Sequence, residues 1–208
     1  MDDRRLYFRE AGTIFWNGML FRNPVLAGAL GLYPVVAAGC GMRNATALSL
    51  LFLIIALPTQ LLLCLAGMLL PRWARPAAVL LLSAVFYLPA ARAVEWLFPG
   101  SLADLGMAAA LMACNSIVYA RASEYAPEHI LLAAAADAAG CSVGFAGVIC
   151  LVSAMREYWL TGGLWGTGVS GIGEGLDAPF AGFLLLGFLA ALMRQVNIQR
   201  ERRYAEVE

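Results

Sequence analysis

The chain has 208 residues, of which 62% are hydrophobic and 13% are charged, and its mean hydropathy is +0.75. A soluble domain of this length has too little core volume to bury so much apolar surface, so the composition predicts an integral membrane protein. The 14 basic residues, all of them arginine, balance 14 acidic residues, and a net charge of zero argues against nucleic acid as a partner.

Six apolar segments follow a polar, amphipathic N-terminal segment that lacks the features of a signal peptide. They are residues 24–41, 45–70, 76–98, 105–120, 130–155 and 178–193. A helix needs roughly 20 apolar residues to cross a bilayer, and the second, third and fifth segments reach that length. The first, fourth and sixth are shorter, so the order is short-long-long and then short-long-short.

Two of the short segments contain interruptions at matching places in the two halves of the chain, at residues 23–34 and 108–121. A broken helix is tolerated in a bilayer only where protein satisfies its backbone polar groups, and paired breaks point to an inverted repeat with a site between its halves. We therefore expect an all-α integral membrane fold with six transmembrane helices. They form two inverted three-helix repeats, residues 23–98 and 99–194, in which the first helix of each repeat is broken.

Arginine placement predicts the orientation of this fold. Eleven of the arginines fall in the N-terminal segment 1–22, in the second and fourth loops, at Arg194 and in the tail 195–208 that follows it. The other three (Arg43, Arg92 and Arg156) fall on the opposite side. Because arginine is enriched in cytoplasmic loops, we expect both termini in the cytoplasm.

Three polar residues within the spans are candidates for a midplane site. Asp137 lies in the fifth segment, where a central carboxylate costs about 2.5–3.5 kcal/mol on insertion scales and so normally has a partner. It is either an ion-path or proton-relay carboxylate, or a structural hydrogen-bond partner near the cytoplasmic end. Asn115 and Ser116 lie in the second break and either line the same site or join helices by hydrogen bonds.

Four further residues are candidates for interfaces or anchors. Gly140 and Gly144 form a small-xxx-small pattern, which lets helices approach closely, within this chain or towards another subunit. Arg156 and Glu157 end the fifth segment on the outer side, where a charged pair usually anchors a helix at the membrane interface. The chain contains no nucleophile with a base at convincing spacing and no phosphate-binding loop, so we assign no catalytic residue.

With these features in place, the chain resembles the paired integral-membrane subunits of the Rnf and Nqr complexes, which are ion-translocating ferredoxin:NAD and NADH:quinone oxidoreductases. The resemblance covers residues 17–166. Its motifs are Asn-Gly-Met-Leu-Phe-Arg-Asn-Pro-Val-Leu at 17–26, Gly-Leu-Tyr-Pro at 31–34, Asn-Ser-Ile-Val-Tyr-Ala-Arg-Ala-Ser-Glu at 115–124, Asp137 with Gly140 and Gly144, and Arg156-Glu157 through Gly-Leu-Trp-Gly at 163–166. The predicted orientation and the Asn-Pro-Val-Leu stretch are more similar to the Rnf E/Nqr D type than to the Rnf A/Nqr E type.

The resemblance also implies a cofactor from which this chain departs. In the family, each of two paired subunits contributes one cysteine from each broken helix, and the four hold an iron–sulfur cluster in mid-membrane. The family motifs read Gly-Leu-Cys-Pro and Asn-Cys, whereas Tyr33 and Ser116 occupy the cysteine positions here. Because such clusters need thiolates, we expect no cofactor in this chain, with a cluster shared with the paired subunit as the alternative. Cys40 and Cys114 could serve as ligands only if the breaks were rearranged.

The resemblance implies a membrane subunit of a redox-driven ion translocase in the cytoplasmic (inner) membrane of a bacterium or archaeon. The implied partners are the lipid membrane and the other subunits of the complex, above all a pseudo-symmetric paired membrane subunit. Two other functions stay open. The chain could be a small inverted-repeat transporter or ion-conducting protein in which Tyr33, Asn115, Ser116 and Asp137 line a polar midplane site. It could also be a structural partner that completes a pseudo-symmetric dimer.

Overall fold

The computed structural model describes residues 2–38, 41–67, 69–168 and 178–205, and every regular element in those ranges is helical. The α-helices in chain order are α1 (Asp2–Trp16), α2 (Leu32–Ala38), α3 (Met42–Ala66), α4 (Arg75–Leu97), α5 (Ser101–Leu105), α6 (Met107–Ala110), α7 (Ser116–Ala120), α8 (Leu131–Thr161) and α9 (Pro179–Ala205). Single π-helical turns lie at Asn17–Phe21 and Arg121–Tyr125, and 3-10 turns at Leu111–Cys114 and Ala126–Glu128.

Four helices in the described part of the chain, α3, α4, α8 and α9, are long and apolar enough to cross a membrane. They overlap the predicted segments 45–70, 76–98, 130–155 and 178–193, and α8 and α9 extend beyond theirs. The all-helical class and four candidate spans are therefore confirmed. Large apolar side chains on these helices face outwards, as a lipid-facing surface requires. Examples are Leu65, Leu81, Leu88, Leu184 and Phe188. The other two predicted segments are divided into short helical pieces.

The core is centred on α3, which packs most extensively against α8 and also against α4. Leu48, Leu51 and Ile55 of α3 are fully buried, and Phe52 packs on Phe145 of α8 with ring centroids 4.6 Å apart. The inward faces of these helices therefore pack against one another, while the outward faces are apolar because they contact lipid.

The N-terminal helix α1 packs along α8, and the two candidate glycines lie at this contact. A Cβ on Gly140 would lie 2.5 Å from the carbonyl oxygen of Phe15, and a Cβ on Gly144 would lie 2.9 Å from that of Met19. The small residues therefore let α8 approach α1 and the following π turn of the same chain. This face of α8 is covered, so it is not a free surface for another subunit, contrary to the subunit-facing alternative.

Both predicted breaks are present, and in each of them an asparagine side chain accepts a backbone hydrogen bond. The first runs from residue 22 to residue 31, where the Asn23 Oδ1 accepts a hydrogen bond from the Val25 N–H at 2.9 Å. The second lies at Asn115, whose Oδ1 accepts from the Ile117 N–H at 2.8 Å. These local side-chain bonds satisfy backbone donors that the interrupted helices leave unpaired.

Candidate functional site

The two breaks meet each other. The helices that follow them begin at Leu32 and at Ser116, so Tyr33 and Ser116 both lie in the first turn of a helix that follows a break. The Gly31 N–H donates to the Ser116 Oγ at 2.9 Å, which joins two segments 85 residues apart. Gly31 has a φ of +66°, and a Cβ there would also lie 2.7 Å from the Ile117 Cδ1, so this approach requires glycine.

The side chains at this junction reach the surface of the chain. Tyr33 is 47% exposed, Ser116 and Cys114 are exposed, and Asn115 is buried. Cys40 lies outside the described residues. Among those residues, no group of three or more His, Cys, Asp or Glu side chains is placed to hold a metal ion. The phenol and the hydroxyl are hard oxygen donors, and the Ser116 oxygen already accepts from Gly31, so the junction does not fit an iron–sulfur cluster.

Asp137 is buried on α8, with 3% exposure, and it has partners on two other elements. Its Oδ2 accepts a hydrogen bond from the Gln60 Nε2 of α3 at 2.8 Å. Its Oδ1 lies 3.5 Å from the Arg121 Nη1, and the Cys141 Sγ donates to the same oxygen at 3.8 Å. The carboxylate is thus paired, as a charge at this depth must be. Sequence reasoning missed Gln60, although an amide in an otherwise apolar span was a usable signal.

A cavity of about 480 Å³ opens beside this cluster, between the first break and residues 120–129. Its polar lining consists of Arg22, Arg121, Glu124, Tyr125, Glu128 and His129. Because the Arg121 side chain both lines the cavity and contacts Asp137, it separates the buried carboxylate from the open space. The Tyr125 ring stacks on His129, and burial together with the nearby Asp137 charge raises the pKa of its phenol, which is therefore neutral at pH 7.

Arg156 and Glu157 are buried and hold the opposite end of α8 to its neighbours. The Arg156 guanidinium donates to a carbonyl oxygen of α2 at 2.9 Å and to that of Ala178, just before α9, at 3.4 Å. The Glu157 carboxylate accepts from the N–H groups of Met42 and Gly166, each at 2.7 Å. The two residues form an internal clamp, because helix ends and loops leave backbone groups that need partners when they are buried. Their position at the membrane interface stays a prediction.

Comparison with known proteins gives a consistent result over nearly the whole chain. Residues 11–194 match the family model described as Rnf-Nqr subunit, membrane protein. The E-type subunit of the ion-translocating oxidoreductase complex of Shewanella loihica is 26% identical, covering 94% of this chain and 91% of that protein. The protein of the same name from Vibrio atlanticus is 27% identical, covering 88% of this chain and 73% of that protein.

Proposed function

The chain belongs to the Rnf-Nqr family of membrane subunits, and we propose that it works in an ion-translocating oxidoreductase complex beside a paired membrane subunit. In this proposal, α3, α4, α8, α9 and the two broken segments cross the cytoplasmic membrane six times as two inverted three-helix repeats. Both termini lie in the cytoplasm. The arginine distribution supports this orientation, and the meeting of the two breaks supports the repeat.

The junction of the breaks is the proposed contact with the paired subunit. The observation that carries this proposal is the hydrogen bond from Gly31 to Ser116, with Tyr33 and Ser116 exposed beside it. Tyr119 lies one turn after Ser116 on α7 and is 38% exposed, so the surface continues along that helix. In our proposal these helix ends lie within the membrane, where exposed polar groups must be covered by protein and not by lipid. The second subunit provides that protein surface.

This chain contributes no ligand to an iron–sulfur cluster in our proposal. Tyr33 and Ser116 stand at the two positions where the family has cysteines, and neither oxygen replaces a soft thiolate. Cys114, two residues before Ser116, lies in the 3-10 turn before the break and not in the helix that follows it. The chain therefore provides the fold and the partner surface, and electron transfer depends on groups in other subunits.

Asp137 is the proposed ion-path residue. Its carboxylate is buried, and the Arg121 side chain, which is 27% exposed, lines the cavity beside it. A cation that reaches the carboxylate from the cavity competes with the guanidinium for the same oxygen. Displacement of Arg121 towards the open space would let a sodium ion or proton pair with Asp137 without leaving an unpaired buried charge.

Recovery of the full chain from its native membrane in mild detergent, followed by mass spectrometry, tests the assembly. We expect to recover the other subunits of the complex, including a second membrane subunit of the same family. Tyr119→Glu should release that subunit, since it places a charge on the proposed contact, whereas Tyr158→Glu, on a more exposed side chain near the end of α8, should not. A lone chain or a homodimer would contradict the proposal and favour the transporter alternative.

The iron content and the electron paramagnetic resonance spectrum of the same preparation test whether this chain contributes a ligand to an iron–sulfur cluster. Cys114→Ala should leave both unchanged, because that thiol is not a ligand in this proposal. A change in the iron–sulfur signal on Cys114→Ala would refute it. The outcome is independent of the assembly test, since a complex can form with or without a cluster ligand from this chain.

A further inference from the structure

The last helix, α9, is tied to the rest of the chain near its two ends. Near its start, the carbonyl oxygen of Ala178 accepts from Arg156, and α9 packs on α2. Near its other end, the Asn197 Nδ2 donates to the Phe21 carbonyl oxygen at 2.9 Å, and the Arg200 guanidinium lies 3.4 Å from the centroid of the Phe21 ring. Between these two attachments α9 contacts α8 over a short stretch only, and a gap remains beside that contact.

A groove occupies this gap, made of two cavities that share Leu26 and Met193. One cavity, of about 310 Å³, has an almost wholly apolar lining that includes Gly147 of α8. A Cβ on Gly147 would meet no atom within 4 Å, so there is free space beside this glycine. The other cavity, of about 710 Å³, adds Arg194, Asn197, Ile198 and Glu201 of α9. The groove thus has an apolar end and a charged end, which we call its mouth, and this polarity matches that of an amphiphile.

The two charges at the mouth define the headgroup. Arg194 and Glu201 are exposed, and within the described residues neither has an ion-pair partner. Seven residues apart, they lie on the same face of α9 and about 10.5 Å apart along its axis, with Arg194 nearer the apolar cavity. Arginine favours phosphate, and a carboxylate accepts hydrogen bonds from a primary ammonium group. We propose that this groove binds one phosphatidylethanolamine molecule, with the phosphate at Arg194, the ammonium at Glu201 and an acyl chain over Gly147.

Other membrane amphiphiles match this groove less well. An anionic lipid without an ammonium group places no cation at Glu201. The quaternary ammonium of phosphatidylcholine has no N–H to donate to the carboxylate. A quinone offers carbonyl oxygens to Arg194 and nothing to Glu201. Charge complementarity at both ends of the mouth therefore selects the zwitterionic lipid with a primary amine.

Native mass spectrometry of the delipidated full chain tests the proposal, with added phosphatidylethanolamine, phosphatidylcholine or phosphatidylglycerol of identical acyl chains. We expect one retained lipid and the highest affinity for phosphatidylethanolamine. Arg194→Gln and Glu201→Gln should each weaken its binding roughly two- to fivefold, the range for exposed ion pairs. Gly147→Leu should abolish the adduct by filling the groove. Gly187→Leu is the matched control, because its Cβ also meets no atom within 4 Å and Gly187 does not line the groove.

Three results would overturn the assignment. Equal affinity for phosphatidylcholine, or tighter binding of phosphatidylglycerol, would show that the ammonium is not recognised. Unchanged phosphatidylethanolamine binding in Glu201→Gln, an exposed substitution that leaves the packing intact, would show that Glu201 does not bind the ammonium group. An adduct retained at the wild-type level in Gly147→Leu would place the lipid outside the groove.

Discussion

The buried clamp at Glu157 allows a stability prediction with a magnitude. Its two carboxylate oxygens accept from the N–H of Met42, at the start of α3, and from the N–H of Gly166, each at 2.7 Å. A hydrogen bond to a charged group contributes about 1.5–3 kcal/mol, and a buried donor left without a partner costs a comparable amount. Glu157→Gln keeps one acceptor oxygen and turns the other into a donor, so we expect a loss of about 1.5–3 kcal/mol.

For a chain of this length, that loss corresponds to a fall in Tm of roughly 3–12 °C. Thermal unfolding in mild detergent, followed by tryptophan fluorescence, measures it, and hydrogen exchange at Met42 and Gly166 locates it. Glu95→Gln is the matched control, because Glu95 also accepts a backbone hydrogen bond, from Gly100 at 2.8 Å, but is exposed. If both variants shift Tm equally and exchange at Met42 and Gly166 stays slow, the clamp does not contribute as the geometry implies.

Further predictions concern the helix contact, the ion path and the second break. Gly140→Ala places a Cβ 2.5 Å from a carbonyl oxygen of α1. We expect it to lower the free energy of unfolding by about 1–3 kcal/mol, which is measured as a lower Tm and faster hydrogen exchange in α1. In Gly147→Ala the new Cβ meets no atom within 4 Å, so its Tm should stay near that of the wild type. Equal falls in Tm for the two variants would contradict the close contact at Gly140. Asp137→Asn should preserve assembly but abolish ion uptake by proteoliposomes that contain the complex. The exposed Asp104→Asn should leave uptake intact, and normal uptake in both variants would exclude Asp137 from the ion path. Asn115→Ala removes the acceptor at the second break and should lower the free energy of unfolding by about 1 kcal/mol. An unchanged Tm would show that the break does not depend on the Asn115 side chain.

The long spans were predictable from the sequence because hydrophobic length is a local property. The predicted segment 76–98 and the observed helix Arg75–Leu97 differ by one residue at each end. The breaks were also predictable, since polar and helix-terminating residues interrupt apolar runs at 23–34 and 108–121. The helix Asp2–Trp16 was not assigned to the helical body, because its polar residues conceal the face that packs on α8.

The contacts of the charged residues could not be read from local patterns. Arg156 and Glu157 end an apolar span, a position typical of an anchor, and the sequence does not show that the ends of three other helices converge on them. Asp137 was recognisable as a buried charge, yet its partner Gln60 lies 77 residues away on α3. Which polar groups meet depends on how the helices pack, and that is a long-range property of the fold.

The hydrogen bonds of the asparagines at the breaks support both interruptions without a metal ligand. Asn23 and Asn115 each accept a hydrogen bond from the N–H two residues later, at Val25 and Ile117 respectively. The Ser116 hydroxyl accepts from the last N–H of the first break, so the two interruptions are joined by a bond that needs no metal. Because buried backbone donors at a broken helix must be satisfied by protein, these three bonds keep the junction closed whether or not a cluster is present. If this chain supplies no cluster ligand, as we propose, the breaks keep this support. A Ser116→Ala variant should accordingly destabilise the junction, which a serine with no structural role would not do, and hydrogen exchange at the end of the first break distinguishes the two outcomes.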